Sequence, residues 1–169
     1  ITVRTSAGLK ICADHTIQDV DPSEFDSVLV PGGYGVKAAA ANEALVDWIA
    51  KAHTKSLRTI IVCSGTWLLA LAGALDGKTC ATHWRLCRSL AESFPAISVD
   101  ADSLYIADGK VISSAGVTSG IDMTLALIEA DMGRKIALDV ARRLVVHFKR
   151  PGNQSQYSWP PKAQIASQR

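Results

Sequence analysis

Short apolar runs separated by polar and turn-forming residues divide the chain into strand-like segments. Residues 1–4 and 9–12 alternate like two short strands around a Ser-Ala-Gly turn. Apolar runs rich in β-branched residues predict buried strands at residues 27–30, 59–62 and 79–83. Residues 103–107 and 110–114 flank Asp108-Gly109, which is the strongest short hairpin signal in the sequence.

Helical spacing of apolar residues marks the remaining segments. In residues 42–53 the apolar positions recur at helical intervals, and Asn42 is suited to cap the helix start. The other predicted helices are residues 66–72, 84–93, 119–131 and 134–148. Because strands alternate with helices, the pattern predicts a three-layer α/β/α sandwich with a mainly parallel sheet. After Pro151 the sequence turns polar and turn-rich, which predicts a linker or tail.

Length and charge narrow the classes of protein that fit this pattern. The 169 residues suit one domain that can bury a hydrophobic core, and a net charge of +2 gives by itself no reason to expect a nucleic-acid or membrane surface. No segment is apolar enough to span a bilayer or reads as a signal peptide, so we expect a cytoplasmic protein. The chain has no initiator Met and opens in a strand-like pattern, so we expect it to begin inside a longer protein.

The four cysteines show neither a CxxC pair nor a Cys/His spacing typical of metal ligands. We therefore expect no metal, no cofactor and no disulfide framework. Cys12 and Cys80 fall in predicted strands and Cys87 in a predicted helix, and all three are expected to be small buried apolar residues.

Cys63 stands apart because it lies between a predicted strand and a predicted helix, followed by Ser64 and Gly65. A side chain at such a sharp turn is presented above the sheet, as in the nucleophile elbow of α/β hydrolases. Free N–H groups and the positive end of the helix dipole favour a thiolate there. The pattern predicts a reactive cysteine. The alternative is a cysteine kept only because the tight turn demands a small residue.

Small-residue turns follow three of the predicted parallel strands, and ligands collect at the carboxyl ends of such strands. We therefore expect one pocket, with candidate ligand-binding residues Gly32, Gly33, Tyr34, Ser64, Trp84 and Gly116. The two adjacent glycines are expected to supply unusual dihedrals and close backbone approach. Backbone N–H groups near Gly33 and Ser64 are candidate oxyanion donors. His83 is a candidate base or hydrogen-bond partner for Cys63, with a packed structural histidine as the alternative.

Two sets of charged residues have structural explanations. Asp122 follows Ser119 at the spacing of a capping box, so we expect its carboxylate to accept a helix-terminal N–H. A basic cluster late in the last helix and beyond it is expected to be solvated surface or an interdomain contact. Its members are Arg142, Arg143, Lys149 and Arg150.

Three motifs, VPGG at residues 30–33, VCSG at 62–65 and ATHW at 81–84, resemble the ThiJ/PfpI family of class I glutamine amidotransferase-like domains. GVTSGID at 116–122, ARRLVV at 141–146 and FKRPGNQSQ at 148–156 resemble the N-terminal domain of GlxA-type AraC-family transcriptional regulators. Together these motifs extend the resemblance over residues 1–157.

The resemblance implies a flavodoxin-like fold and a regulatory function. Residues 1–150 would form a ligand-sensing domain, and residues 151–169 a linker toward a helix-turn-helix domain outside this chain. It implies a small-molecule effector near Cys63, a homodimer, and DNA binding only through that further domain. Family members also open with a strand, a helix and an acidic residue that faces the cysteine, all of which this sequence lacks.

An enzymatic interpretation is the alternative. Isonitrile hydratases are similar around the Cys-x-Gly elbow and the Thr-His-Trp segment, which would make Cys63 a nucleophile and His83 its partner. The missing acidic segment and the regulator-like second half weigh against it. Protease-like members carry a histidine directly after the cysteine, where this chain has Ser64, so a hydrolase is disfavoured.

Overall fold

A parallel sheet forms the centre of the molecule. The computed structural model describes residues 1–5, 7–148, 150 and 154. Within these residues the strands are β1 (Thr2–Arg4), β2 (Lys10–Cys12), β3 (Ser27–Val30), β4 (Arg58–Val62), β5 (Thr79–Ala81), β6 (Ser98–Asp100), β7 (Tyr105–Asp108) and β8 (Val111–Ser114). The helices are α1 (Val36–Ala40), α2 (Glu43–Lys55), α3 (Thr66–Leu71), α4 (Cys87–Ser93), α5 (Val117–Met132) and α6 (Arg134–Leu144).

The register of the central sheet brings the predicted turns together. Its strand order is β3-β4-β8-β7; β3, β4 and β8 are parallel, and β7 pairs antiparallel with β8. Val30 is paired with Ile61, and Ile61 in turn with Ser113. Since these residues stand near the carboxyl ends of their strands, the turns that follow are neighbours at one edge of the sheet.

Helices cover both faces of this sheet, which confirms the predicted three-layer α/β/α architecture. On one face Ile61 and Val30 belong to a buried cluster with Ile49 of α2 and Leu69 of α3. Burying a side chain of this size stabilises the fold by about 1.5–3 kcal/mol. On the other face α5 approaches β4 so closely that a Cβ added at Gly120 would lie 3.5 Å from a Val62 methyl carbon.

Two smaller strand pairs flank the main sheet. β5 and β6 are parallel, and side chains of the hairpin β7–β8 hold them in place. The Thr79 N–H donates to Asp108 Oδ2 (2.8 Å), and the Ala81 N–H donates to Ser113 Oγ (2.9 Å). β1 and β2 form a separate antiparallel pair whose residues are exposed. The expectation that Cys12 is buried is therefore wrong, because all residues of these two strands are exposed.

Some predicted boundaries shift. The helix expected from residue 84 begins at Cys87, because a turn closed by the Leu86 N–H on the His83 carbonyl (2.7 Å) precedes it. The last helix ends at Leu144, where Val145 takes a left-handed conformation (φ 54°), and not at residue 148. α1 and β6 lie in segments without a clear pattern and were not predicted. The predicted tail at 151–169 lies outside the described residues except for Gln154.

None of the helices in the described ranges combines the length and apolarity that crossing a bilayer requires.

Candidate functional site

Cys63 occupies a strained elbow, as the sequence predicts. It follows β4 directly and has φ 58°, a left-handed conformation that costs a non-glycine residue about 1–2 kcal/mol. Two hydroxyls hold the turn through the Cys63 carbonyl, which accepts from Thr66 Oγ1 (2.6 Å) and Thr82 Oγ1 (3.0 Å). The surrounding hydrogen bonds thus stabilise a conformation that presents the thiol away from the sheet.

Glycines let the neighbouring turn approach the elbow. A Cβ at Gly32 would lie 2.7 Å from the Val62 carbonyl oxygen and 2.8 Å from Cys63 Cβ. A Cβ at Gly65 would lie 2.6 Å from the Val30 carbonyl oxygen. The turns after β3 and β4 therefore interlock without side chains between them. Close approach explains Gly32, whereas Gly33 has the unusual dihedral (φ 133°).

The Ser64 hydroxyl fixes the orientation of Gly33. It accepts a hydrogen bond from the Gly33 N–H (2.8 Å) and donates to the Gly33 carbonyl (3.3 Å). The Gly33 N–H is therefore engaged by the Ser64 hydroxyl in this arrangement, and a role as oxyanion donor, which stays a prediction, would require that hydrogen bond to open.

A cavity of about 640 Å³ opens above the elbow, and we refer to it as the elbow cavity. Its lining residues are Gly33, Tyr34, Cys63, Ser64, His83, Trp84, Arg85, Leu86, Leu104, Ala115, Gly116, Val117, Thr118, Ser119, Arg150 and Gln154. The turns after β3, β4 and β8 thus reach one cavity. Of the sequence-predicted site residues, Gly32 lies behind the elbow and is not part of this lining, and the others are.

His83 lines the cavity together with Cys63, but its imidazole contacts Arg85 and Trp84. Its Nδ1 accepts the Arg85 backbone N–H (3.3 Å), and its ring stacks on Trp84 with centroids 5.6 Å apart. Burial lowers the pKa of His83, and the Arg85 charge lowers it further, so the neutral imidazole is favoured. Because Nδ1 accepts a hydrogen bond, the neutral ring carries its proton on Nε2. Among the described residues no hydrogen bond joins His83 to Cys63.

The amino end of α5 forms another wall of the elbow cavity. The helix begins at Val117, and the Ser119 hydroxyl accepts the Gly116 N–H (2.6 Å). Asp122 takes no part in this cap. Its Oδ2 accepts from Arg150 Nε (2.9 Å) and Nη2 (2.5 Å), so the expected capping role is wrong. Spacing alone suggested a cap because the partner, Arg150, is distant in sequence.

The segment after α6 returns to the cavity wall. Arg150 is held by Asp122, and so it is no member of a solvated basic surface. Gln154 is buried; its N–H donates to the Asp102 carbonyl (2.6 Å) and its Nε2 to the Ser103 carbonyl (3.0 Å). Lys149, another member of the predicted basic cluster, lies outside the described residues. Both Arg150 and Gln154 line the cavity, which the sequence did not indicate.

Other lining residues were also missed from the sequence, each for a definite reason. Arg85 and Leu86 were assigned to a helix, although they form the turn before α4. Leu104 precedes β7 and has no motif around it. Thr118 and Ser119 follow the predicted Gly116 turn, and their position beside that turn is the signal that could have identified them.

The profile of the DJ-1/PfpI family matches residues 1–130. The chain belongs to the DJ-1/PfpI family. This membership confirms the resemblance carried by the VPGG, VCSG and ATHW motifs. It also agrees with the elbow and the three-layer fold of this DJ-1/PfpI domain.

Relatives of this DJ-1/PfpI domain include a transcriptional regulator and an enzyme. The HTH-type transcriptional regulator GbdR of Pseudomonas aeruginosa is 30% identical over 159 residues, covering 94% of this chain and 42% of the regulator. Isonitrile hydratase of Pseudomonas putida is 32% identical over 133 residues, covering 79% of this chain and 56% of the hydratase. The chain thus spans less than half the length of the regulator and little more than half that of the hydratase.

A solved structure matches the DJ-1/PfpI domain over nearly its whole length. The ThiJ/PfpI family protein from Pseudomonas syringae superposes with a TM-score of 0.83 at 25% identity, covering 99% of this chain and 68% of that protein. The agreement extends to the whole α/β/α arrangement described above.

Proposed function

We propose that this chain is the small-molecule-sensing domain of an AraC-type transcriptional regulator, with the elbow cavity as its effector site. One observation carries the proposal: Arg150 and Gln154, which follow the last helix, form part of the cavity wall. A ligand in the cavity therefore contacts the segment that leads out of the domain. The identity with GbdR over 94% of this chain supports the same class.

Signalling through this wall requires a ligand that binds two arrangements of the protein unequally. In the described arrangement, Gln154 is docked on Asp102 and Ser103 while Arg150 is docked on Asp122. A ligand that displaces or reinforces these contacts changes the position of the linker that leads out of the domain. We propose residues 1–150 as the sensing domain, residues 151–169 as the linker, and a further helix-turn-helix domain as the DNA-binding part, acting in the cytoplasm.

The complete coding sequence provides the first test. It is expected to encode a helix-turn-helix domain downstream of Arg169, and its absence would overturn the proposal. In the full-length protein, N-ethylmaleimide is then used to fill the cavity by alkylating Cys63. We expect alkylation to change the affinity for a promoter fragment in a gel-shift assay. The Cys63→Ser protein is the control, because its exposed Cys12 still reacts with N-ethylmaleimide. We expect the same treatment to leave its affinity for the promoter fragment unchanged.

An isonitrile hydratase activity is the second candidate. The strained Cys63 elbow and the identity with isonitrile hydratase favour it. The hydrogen bond that engages His83 Nδ1 weighs against it, because a base for Cys63 needs a free ring nitrogen. Turnover of an isocyanide that disappears in Cys63→Ala would establish the activity. No turnover by the complete protein would rule it out.

We also propose a homodimer, on the resemblance to regulators of this type. Size-exclusion chromatography with light scattering tests it directly. A monomer mass at tens of micromolar would contradict the proposal.

A further inference from the structure

Arg85 brings an uncompensated positive charge to the elbow cavity. It lies in the turn before α4, is exposed, and lines the cavity. Within the described part of the chain it makes no ion pair with a carboxylate. An arginine that faces a cavity without an acidic partner is available to bind an anionic ligand.

Trp84 holds the Arg85 guanidinium in position. The guanidinium carbon lies 4.9 Å from the centroid of the indole ring. This cation–π contact engages the charge without using a hydrogen bond, so the guanidinium N–H groups keep their capacity to donate. Those N–H groups match a carboxylate, which accepts two parallel hydrogen bonds. The aromatic ring thus orients the cation before any ligand arrives.

Nothing in the cavity wall opposes this charge. The lining residues within the described chain include no Asp or Glu. The other cation of the wall, Arg150, is already matched by Asp122, so this pair adds little net charge. Arg85 therefore contributes the one unmatched charge among the described lining residues. A positive, partly enclosed site concentrates anions and repels cations.

The rest of the wall is suited to an apolar group. Leu104, Ala115 and Val117 line it together with the indole of Trp84. Its volume of about 640 Å³ lies within the range of about 300–1,000 Å³ typical of small-molecule sites. A ligand can therefore place a charged end at Arg85 and an uncharged body against these side chains.

We infer that the elbow cavity binds a small organic carboxylate, with the carboxylate on the Arg85 guanidinium and the apolar body against Trp84, Leu104 and Val117. The inference rests on the proposal that this cavity is the effector site. Its test measures the cavity alone, without DNA, so that it can succeed or fail independently of the regulatory function.

The rate at which charged and neutral reagents alkylate Cys63 depends on the charge of the elbow cavity around it. Iodoacetate and iodoacetamide form the same S–C bond while the C–I bond breaks and iodide leaves, but only iodoacetate carries a carboxylate. The rate ratio of the two reagents at Cys63 is measured by peptide mass spectrometry. We expect Arg85→Gln to lower this ratio about three- to tenfold, the effect of removing one nearby charge at intermediate dielectric.

Matched variants separate the effect of the Arg85 charge from the effects of side-chain shape and of the net charge of the protein. Arg85→Lys keeps the charge and is expected to keep most of the ratio. Arg88→Gln removes an equal charge from an exposed side chain paired with Glu92, and is expected to leave the ratio unchanged. Alkylation of Cys12 provides a reference in the same molecule, and protection of buried Cys80 verifies folding. An equal ratio in Arg85→Gln and Arg88→Gln would overturn the inference.

A second measurement tests the class of ligand. Phenylacetate and its neutral amide, phenylacetamide, are compared as protectants of Cys63 against iodoacetamide, with phenyl phosphate as a third arm. We expect phenylacetate to protect at several-fold lower concentration than phenylacetamide, and Arg85→Gln to remove the difference. Equal protection by acid and amide, or stronger protection by phenyl phosphate, would contradict a carboxylate site.

Discussion

Gly32 and Cys63 meet at the point where two turns of the sheet interlock. Cys63 adopts φ 58° and Gly32 leaves no room for a side chain beside it. The strain of the elbow is sustained because the Cys63 carbonyl is held by two threonine hydroxyls. A single methyl group added at Gly32 would therefore force the backbone of the elbow to shift.

Replacement of Gly32 by alanine is predicted to destabilise the protein. The new Cβ would meet the Val62 carbonyl oxygen at 2.7 Å and the Ser64 nitrogen at 2.8 Å, both of them backbone atoms that cannot move aside. We expect a loss of about 1–3 kcal/mol in the free energy of unfolding, the usual cost of overpacking. Urea unfolding followed by circular dichroism measures it.

Gly35 supplies the matched control. Apart from its chain neighbours, no atom of the described residues lies within 4 Å of a Cβ built there, and its φ of −72° suits any residue. Gly35→Ala is expected to leave stability unchanged or raise it by up to about 1 kcal/mol, because it restricts the unfolded chain. Similar losses for both variants would show that the close approach at the elbow has no energetic weight.

At the scale of elements, an ion pair ties α5 to the segment after α6. Asp122 of α5 is 9% exposed in its side chain and Arg150 is 24% exposed. Both Nε and Nη2 of Arg150 donate to the same carboxylate oxygen. Since this contact is partly buried, its loss leaves one charge poorly solvated, unlike the loss of a surface pair.

A double-mutant cycle on Asp122→Asn and Arg150→Gln is predicted to reveal this coupling. We expect each single variant to lose about 1–3 kcal/mol in the free energy of unfolding, and the double variant to lose less than their sum. Chemical denaturation of the four proteins gives the interaction energy directly.

The pair Asp139–Arg142 within α6 is the control. Its atoms are 3.5 Å apart and its side chains are 54% and 77% exposed. Exposed pairs of this kind contribute about 0.2–1 kcal/mol at most. The cycle Asp139→Asn with Arg142→Gln is therefore expected to give the smaller interaction energy. A larger value there would refute the structural role assigned to Arg150.

At the scale of the whole molecule, buried and bonded titratable groups set the response to acid. Burial lowers the pKa of His53, and the charges of Lys110 and Lys78 lower it further. Burial also lowers the pKa of His83. Several carboxylates have lowered pKa values through hydrogen bonds from Ser, Thr or Arg: Asp19, Asp21, Asp100, Asp108 and Asp131.

Stability is predicted to fall in two stages as the pH drops. As the pH falls, the histidines of the unfolded state bind protons near pH 6.5, whereas those of the folded state do so only at lower pH. The free energy of unfolding therefore decreases as the pH falls from 6.5 toward the pKa of the folded state. The carboxylates stabilise the folded state at pH values above 3.8, their pKa in the unfolded chain. This stabilisation is lost as the pH falls below 3.8 toward the lower pKa of the folded state. Urea midpoints measured at intervals from pH 8 to pH 3 test both stages.

The histidine variants locate the first stage. His53→Gln and His83→Gln are each expected to reduce the slope between pH 7 and pH 5, and the double variant to reduce it further. Both should leave the decline below pH 4 in place, because it belongs to carboxylates. A stability that stays constant from pH 7 to pH 5 in the unmodified protein would contradict the prediction.

The sequence alone predicted most strands and helices in their observed order, although it missed α1 and β6. Apolar runs and turn residues placed strand 27–30 within its observed bounds, and Asn42 was recognised as the cap that accepts the Leu45 N–H (3.2 Å). The elbow at Cys63 could also be predicted. These features depend on residues close together in the chain, whose periodicity and turn chemistry act locally.

Partners that are distant in sequence were decided only by the tertiary structure. Asp122 was assigned to a cap because its neighbours allow one, whereas its partner lies 28 residues away. The Ser64 hydroxyl engages Gly33 across 31 residues, and the Gln154 amide donates to the Ser103 carbonyl across 51. Local patterns determine where each strand and helix lies, but only the packed sheet determines which polar groups meet and which remain open to a ligand.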